Sequence, residues 1–294
     1  MGPQPMPAAE ADVSAALLRR LLGAQHPDLA DRPVTVLASG WDNVVFRVGD
    51  DLLARLPRRE LAARLVSHEQ HWLPRLAPRL PLPIPAPVRT GQPGLGYPWP
   101  WSIVPYLPGQ VAAETPPADP AAAAANLGGF LAALHTPAPP DAPANPLRGV
   151  PLADRTDIVM QNLSMVADQV DGKAARRVWA AALAAPRWRE RPVWLHGDLH
   201  PANILVHGGQ LSGVLDFGDL TAGDPAADLS AGWMLLPADC HQAFRAAAGA
   251  SDASWARATG WALAFGLVYL AHSADNPQLA AVGRRTLGAV LGPG

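Results

Sequence analysis

The chain has 294 residues, of which 49% are hydrophobic and 16% charged, and its formal net charge is −2. Apolar residues are spread along the whole length, which excludes an intrinsically disordered chain and supports a large core, more naturally in two lobes than in one. No basic run or stripe stands out, which argues against a nucleic-acid or membrane partner.

The cysteine count, the N-terminal segment and the longest apolar stretch indicate the cellular compartment of the protein. A single cysteine, Cys240, excludes an internal disulfide and a cysteine-based metal site, and it fits a reducing compartment. Residues Met1 to Val13 lack the basic segment and apolar run of a signal peptide. The longest apolar stretch, Trp261 to Ala271, is too short to span a bilayer. We therefore expect a soluble, cytoplasmic protein, and no obligate protein partner is evident.

The first part of the chain alternates between helical and strand patterns. Ala11 to Leu22 has apolar residues at helical spacing and predicts one amphipathic helix. Val34 to Arg58 contains short alternating apolar runs, interrupted by the loop Ser39 to Asn43 and by a hairpin turn over Gly49 to Asp51. This segment predicts at least three antiparallel strands.

A second helix and a further strand follow. Arg59 to Leu76 again has helical spacing, and Pro74 is expected to bend or end the helix. The stretch Pro78 to Pro87 is too rich in proline for a helix. Trp99 to Leu107 predicts a buried strand that leads into a turn at Pro108.

The pattern changes after this strand. Three stretches have helical spacing, at residues 120–135, 152–183 and 226–294. Residues 193–219 read as short strands and turns. The sequence therefore predicts an α+β fold with a small β-rich N-terminal lobe over residues 1–107, including a hinge, and a larger helical C-terminal lobe over residues 108–294.

Two motifs in the C-terminal part carry residues suited to phosphoryl transfer. Residues 196–203 read His-Gly-Asp-Leu-His-Pro-Ala-Asn, and residues 214–219 read Val-Leu-Asp-Phe-Gly-Asp. Asp198 and Asn203 have the spacing of the protein-kinase catalytic loop, and Asp216 opens an Asp-Phe-Gly triplet. Such a transfer needs a carboxylate beside the acceptor hydroxyl, oxygen ligands for Mg²⁺ and a grip on the phosphates. The plainer alternative is a pair of loops whose aspartates cap turns.

With these motifs, and with Gly-Asp-Pro-Ala-Ala-Asp-Leu over residues 223–229, the chain resembles the aminoglycoside phosphotransferase family. The resemblance covers most of the chain. It implies a two-lobed, protein-kinase-like fold with the nucleotide in the cleft between the lobes. It also implies a small-molecule kinase that moves the γ-phosphate of ATP or GTP to a hydroxyl group, with Mg²⁺ as cofactor. Gly197 stands where protein kinases have an arginine that serves a phosphorylated activation loop, so we expect no such switch.

The resemblance assigns a role to each polar residue of the two motifs. Asp198 is the expected catalytic base, or at least orients the acceptor hydroxyl. Asn203 and Asp216 are the expected Mg²⁺ ligands. His196 is expected to brace the catalytic loop rather than to react, and His200 to pack within that loop.

Two aspartates beside the motif residues are expected to be structural. Asp228 is expected to cap a helix and to hold the catalytic loop. Asp219 is expected either to contact the metal ligands rather than the metal itself, or simply to be exposed to solvent.

The expected phosphate grip departs from the family pattern, in which a lysine on the third strand pairs with a glutamate on the next helix. The only lysine of the chain is Lys173, and the matching strand position is Arg55. Glu69 is the matching glutamate. Arginine can bind phosphate and carboxylate through two parallel hydrogen bonds, so the pair is compatible with the role. The alternative is that both are ordinary surface charges.

Two further segments of the N-terminal lobe are expected to bind the nucleotide. The loop with Ser39, Gly40 and Asn43 is expected to cover the phosphates with backbone N–H groups, although a plain hairpin turn fits it almost as well. The strand after Trp99 leads into a kinase-like hinge, where the C=O of Pro105 and the N–H of Leu107 would bind adenine. An ordinary interlobe linker is the alternative.

The sequence is compatible with several classes of acceptor molecule. Aminoglycosides are polycations that need an acidic pocket, whereas the region after Asp228 is rich in alanine, tryptophan and leucine with scattered acids. That composition suits a less charged acceptor, such as a macrolide or a metabolite alcohol, and antibiotic resistance is one of three roles that the sequence leaves open. A metabolite kinase for choline, homoserine or a sugar amine is the first alternative. A non-catalytic, nucleotide-binding pseudokinase is the second, and the intact catalytic positions argue against it.

Overall fold

The structure is a computed structural model that describes residues 8–40 and 42–292. Trp41, which belongs to the expected phosphate-covering loop, lies outside the described residues, as do the first seven residues of the segment inspected for a signal peptide. The described chain forms two compact units. The N-terminal unit extends to Arg79 and includes Pro83–Pro108, and the C-terminal unit consists of Leu80–Leu82 and the chain from Gly109 onward.

The helices and strands follow the chain order. The helices of the described residues are α1 (Ala15–Gln25), α2 (Glu60–Leu76), α3 (Pro120–Leu134), α4 (Thr156–Met165), α5 (Gly172–Ala184), α6 (Ala226–Leu229), α7 (Ala231–Leu235), α8 (His241–Ala247), α9 (Asp252–His272) and α10 (Pro277–Leu291). The strands are β1 (Val34–Ser39), β2 (Asn43–Val48), β3 (Leu52–Pro57), β4 (Arg89–Gly91), β5 (Trp101–Pro105), β6 (Gln110–Val111), β7 (Val193–Leu195), β8 (Ile204–His207), β9 (Gln210–Val214) and β10 (Thr221–Gly223).

The N-terminal unit is built on a five-stranded antiparallel sheet in the order β1-β2-β3-β5-β4. Helix α1 contributes Leu18, Leu21 and Leu22 to a core that includes Phe46 and Trp101 of the sheet. The expectation of three antiparallel strands between residues 34 and 58 is therefore confirmed.

One helix boundary in this unit differs from the sequence prediction, and another agrees with it. Helix α1 begins at Ala15 rather than at Ala11, because the Ser14 hydroxyl accepts a hydrogen bond from Leu17 N and caps the helix there. Helix α2 ends at Leu76, as predicted, and Pro74 lies within its last turn without ending it there. Proline removes one backbone hydrogen bond of a helix, and near the end of the helix few residues follow that depend on it.

The C-terminal unit is mainly helical and holds two small antiparallel sheets, β6-β8-β9 and β10-β7. Helix α9 is the central element, since Trp261, Leu263 and Leu267 are all buried and α4, α5, α6 and α10 pack against it. Within the described residues, no helix is both long and apolar enough to cross a membrane. The two motif segments follow β7 and β9, so the chain enters each of them from a buried strand.

Candidate active site

The expected catalytic loop, residues 196–203, leaves β7 through a turn that favours glycine. Gly197 has φ +87°, a conformation that residues with a Cβ rarely adopt. A Cβ at this position would lie 2.4 Å from the backbone oxygen of Asp219. Steric crowding at this turn therefore explains why residue 197 is glycine. This explanation does not depend on the absence of an activation-loop switch.

Asp228 holds the start of the catalytic loop from a buried position. Its two carboxylate oxygens accept hydrogen bonds from the backbone N–H groups of His196, at 2.8 Å, and of Gly197, at 2.9 Å. Burial raises the pKa of Asp228, but the hydrogen bond and charge of His135 and the amide of Gly197 outweigh burial and lower it. The expected role of holding the loop is confirmed. The expected helix cap is wrong, because Asp228 lies inside α6 and the carboxylate of Asp224 caps that helix instead.

His196 is fully buried and braces the loop, as expected. Its Nε2 lies 2.8 Å from Leu215 O, and its Nδ1 accepts a hydrogen bond from Asp198 N at 3.2 Å. Leu215 O can only accept, so Nε2 carries the proton and Nδ1 is the acceptor. Both ring nitrogens are engaged, which leaves none for a reacting proton.

The carboxylate of Asp198 is surrounded by three donors. Arg148 Nη2 and the Tyr269 hydroxyl each lie 3.1 Å from Oδ1, and His200 Nε2 lies 3.4 Å from Oδ2. Burial raises the pKa of Asp198, but the hydrogen bond from His200 and the charge of Arg148 together outweigh burial and lower it. The side chain is 25% exposed, so it is an anchored carboxylate anion with one accessible edge.

His200 does more than pack in the loop, which corrects the expectation. Its Nδ1 accepts a hydrogen bond from Ala202 N at 3.2 Å, so the proton resides on Nε2, which faces Asp198. Its ring also contacts the edge of Tyr269, at 5.3 Å between centroids. His200 therefore helps to orient the carboxylate of Asp198.

Arg148 is a site residue that the motifs did not reveal. Its Nε donates to Oδ2 of Asp219 over 3.3 Å while Nη2 binds Asp198, and its guanidinium lies 4.9 Å from the ring centre of Phe265. Burial lowers the pKa of Arg148, but Asp198 and Asp219 raise it, so it is charged. The expectation that Asp219 is simply solvated is wrong, and a place next to the metal ligands stays a prediction. Asp219 is a partner of Arg148.

A glycine lies directly after Arg148 and gives the only local signal for it. Gly149 has φ +63°, and a Cβ there would lie 2.4 Å from Leu195 Cδ1 of β7. This close approach brings the loop that carries Arg148 against the strand that leads into the catalytic loop.

Asn203 and Asp216 offer two hard oxygen ligands. Asn203 Nδ2 donates to Asp198 O over 3.0 Å, which leaves its Oδ1 as the atom that can bind a metal ion. Leu215 N donates to Asn203 O over 2.8 Å and so brings the residue before Asp216 against Asn203. Asp216 has φ +58° and is exposed. The donor set fits Mg²⁺, which prefers oxygen ligands and retains waters.

In the N-terminal unit, Arg55 and Glu69 form the expected pair. Arg55 Nη1 lies 2.8 Å from Glu69 Oε2, and the side chains are 13% and 2% exposed. The alternative of two ordinary surface charges is therefore wrong. The role of the pair in phosphate binding stays a prediction.

The other expected nucleotide contacts of this unit also stay predictions. The loop after β1 is a tight turn in which Gly40 N donates to Asn43 O over 2.9 Å, and Ser39 is the last residue of β1. Pro105 ends β5 opposite Leu52, and Leu107 lies beyond it, half-buried.

Comparisons with known proteins agree with this fold. The phosphotransferase enzyme family model matches residues 33–261. The solved aminoglycoside 2'-phosphotransferase-IIIa in complex with GDP has a TM-score of 0.67 and 20% identity, covering 95% of this chain and 99% of that one. The macrolide 2'-phosphotransferase MphH from Brachybacterium faecium has a TM-score of 0.61 and 24% identity, covering 95% and 99%. No curated protein sequence matches. The expectation of a two-lobed, kinase-like α+β fold is confirmed.

Proposed function

The chain belongs to the phosphotransferase enzyme family, and on that basis we propose that it transfers the γ-phosphate of ATP or GTP to a hydroxyl group of a small molecule. One observation carries the proposal: the carboxylate of Asp198 is held as an anion by three donors and keeps an accessible edge. A phosphoryl transfer has a loose transition state, so positioning and electrostatics do most of the work.

The main role of Asp198 is to orient the acceptor hydroxyl. Removal of the hydroxyl proton before the phosphoryl group is transferred is the lesser role. Its pKa lies far below neutrality, which makes it a weak base but a dependable acceptor of a hydrogen bond from the hydroxyl. Arg148, Tyr269 and His200 fix the direction of its carboxylate, so the hydroxyl is aligned without a cost at the moment of reaction.

The remaining residues serve the nucleotide. Asn203 and Asp216 hold Mg²⁺, which when bound neutralises charge on the phosphates. Arg55 binds phosphate oxygens while Glu69 fixes its guanidinium, and arginine takes the role of the usual lysine. The turn with Ser39, Gly40 and Asn43 covers the phosphates, although the N–H of Gly40 is engaged by Asn43 O in this structure, and the hinge atoms of Pro105 and Leu107 bind the base.

Two classes of acceptor are candidates. Solved structures similar to this chain include aminoglycoside phosphotransferases in complex with kanamycin and with gentamicin and a macrolide 2'-phosphotransferase, which favours an antibiotic. A metabolite alcohol is the second class. A pseudokinase is disfavoured, because Asp198 and both metal ligands are present and Asp198 is anchored.

The first test is nucleotide-dependent thermal stabilisation with and without Mg²⁺, across ATP, GTP and their diphosphates. We expect a Mg²⁺-dependent rise in Tm for one triphosphate, and we expect Asp216→Ala to abolish it. The matched control is Asp141→Ala, which removes an exposed carboxylate elsewhere in the C-terminal unit and should keep the rise. No rise with any nucleotide would contradict the proposal and point to a degenerate nucleotide site.

A further inference from the structure

Three separate segments of the N-terminal unit meet beside the turn after β1, which is the expected phosphate-covering loop. They are residues 9–13, the connection between β3 and α2 at Arg58 and Arg59, and the turn itself. A small cavity is lined by residues 9–13 together with Ser39, Val44 and Arg58. All three segments belong to the same compact unit. The segment that precedes α1 therefore lies beside two elements that lead to the expected nucleotide site.

The connection between β3 and α2 binds the turn after β1 through three contacts. Arg58 N donates a hydrogen bond to Asp42 O over 2.8 Å, and Arg58 Nη1 donates to Gly40 O over 2.9 Å. Arg59 Nη2 forms an ion pair with the carboxylate of Asp42. Two of these contacts are made to backbone oxygens of the turn, so the position of the turn depends on where the connection lies.

Glu10 binds the same connection and the first turn of α2. Its backbone N–H donates to Arg58 O over 2.8 Å, and its carboxylate oxygen Oε2 accepts a hydrogen bond from Glu60 N over 2.9 Å. Arg59, the residue that precedes α2, gives this helix no side-chain cap. The first N–H groups of a helix need acceptors, and a negative charge beside them is favourable. Glu10 therefore caps α2 from 50 residues away in sequence.

Helix α2 links this cap to the expected phosphate grip. Glu69 lies about two and a half turns after Glu60, on the order of 14 Å along the helix axis. Its buried carboxylate holds Arg55 Nη1 at 2.8 Å. Because the helix is continuous from Glu60 to Leu76, a shift of its first turn also moves the carboxylate of Glu69. The turn after β1 and the pair of Arg55 and Glu69 thus both depend on the start of α2.

We propose that Glu10 is a positioning residue for the phosphate donor: it fixes the start of α2, and with it the turn after β1 and the guanidinium of Arg55, before the nucleotide binds. The inference rests on the proposed function, because it concerns the donor side of the same phosphoryl transfer. Without the carboxylate of Glu10, the first turn of α2 becomes less ordered in the free protein. The nucleotide must then order it on binding, which reduces the net binding free energy.

Glu10→Ala tests the inference through the dissociation constant of the nucleotide, Kd. Kd is measured by titration calorimetry with Mg²⁺-ATP and with Mg²⁺-GTP, at a temperature where all variants stay folded. For the nucleotide that the wild type binds, we expect Kd to rise about threefold to tenfold, in line with the usual cost of a lost cap. Glu10→Gln keeps one oxygen that can accept from Glu60 N and should recover part of the affinity. An unchanged Kd in Glu10→Ala would overturn the inference.

Asp171→Ala is the matched control. Asp171 caps α5 of the C-terminal unit by accepting hydrogen bonds from the N–H groups of Lys173 and Ala174. Both variants lose the cap of one helix, so both should have a lower Tm than the wild type. Only Glu10→Ala should raise Kd. An equal rise in Kd in the two variants would assign the effect to a general loss of stability and would also overturn the inference.

Hydrogen exchange in the nucleotide-free protein tests the cause. Glu10→Ala should speed the exchange of backbone amides in the first turn of α2 and leave α5 unchanged, and Asp171→Ala should do the reverse. Unchanged exchange at the start of α2 in Glu10→Ala would show that other contacts hold the helix there, which contradicts the inference.

The titration of the wild type separates the inference from the proposed function. If the wild type binds a Mg²⁺-nucleotide and Glu10→Ala binds it equally well, the inference is wrong and the phosphotransferase function stands. If the wild type binds neither nucleotide, the proposed function fails and the inference fails with it.

Discussion

Arg148 donates to Oδ1 of Asp198 over 3.1 Å, and in the same position it donates to Asp219 over 3.3 Å. One guanidinium thus serves the candidate base and a second carboxylate. Because the pair is only 16% and 25% exposed, its attraction is weakened by solvent less than that of a surface pair. After the hydrogen bond from His200, Arg148 therefore also helps to keep the carboxylate of Asp198 ionised.

Arg148→Gln should raise the pKa of Asp198. The arginine charge lowers that pKa in the folded protein, so its removal moves protonation of Asp198 to higher pH. The acid limb of the kcat/KM profile should move in the same direction. Tyr269→Phe is the matched control, because it removes a hydrogen bond to the same oxygen without removing a positive charge. A larger shift in Tyr269→Phe than in Arg148→Gln would contradict this account.

Asp198→Asn should nearly abolish phosphoryl transfer and leave nucleotide binding largely intact. The amide has a similar size, but it carries no negative charge to align the hydroxyl, and loss of such a group typically costs 10²–10⁴-fold, on the order of 3–5 kcal/mol. Transfer is measured by product formation, and nucleotide binding by Tm. Near-normal turnover would sink the proposed mechanism.

Arg55→Met should lower stability and weaken nucleotide binding. The substitution leaves the buried carboxylate of Glu69 without its arginine, which typically costs about 3–5 kcal/mol. The double variant Arg55→Met/Glu69→Leu should recover most of the stability, because apolar pairs often replace buried ion pairs without loss. It should not recover nucleotide binding. Recovered binding in the double variant would assign the pair a purely structural role.

The sequence identified the parts of the site that lie in continuous motifs. Asp198, Asn203 and Asp216 lie within two short segments, and the spacing of Asp198 and Asn203 reflects the single loop that carries both. The pairing of Arg55 with Glu69 was also foreseeable, because the family resemblance matches these two positions to the usual lysine and glutamate.

Contacts that join distant parts of the chain were not foreseeable. Arg148 and Tyr269 lie 50 and 71 residues from Asp198 in sequence, and no local pattern marks either as its partner. Asp224 lies just before α6 and Asp228 lies within it, and composition alone could not decide which of the two carboxylates binds the first N–H of the helix. The tertiary contacts of Asp228 decided the question.

Asp228→Asn should destabilise the protein in a pH-dependent way. The amide offers one acceptor oxygen where the carboxylate serves two buried N–H groups, so one donor is left unpaired at a cost of about 1–3 kcal/mol. The folded-state pKa of Asp228 is depressed, so its carboxylate stabilises the fold above its unfolded pKa of about 3.9. That contribution is lost as the pH falls towards the folded-state pKa.

The measurement is the difference in Tm between wild type and Asp228→Asn at several pH values. We expect a large difference at neutral pH that narrows below about pH 4, where the wild-type carboxylate loses its advantage. Asp141→Asn, at an exposed position, should show no comparable difference at neutral pH. A difference that grows on acidification would contradict the sign of the pKa shift.

Gly197→Ala should disrupt the catalytic loop. The residue has φ +87°, and the new methyl group would lie 2.4 Å from Asp219 O, so the backbone must move. The N–H groups that bind Asp228 and the position of Asp198 would move with it, so both Tm and the transfer rate should fall. Gly172→Ala is the matched control, because a Cβ at the start of α5 meets open space. If Gly197→Ala keeps the wild-type Tm and rate, the steric argument for this turn is wrong.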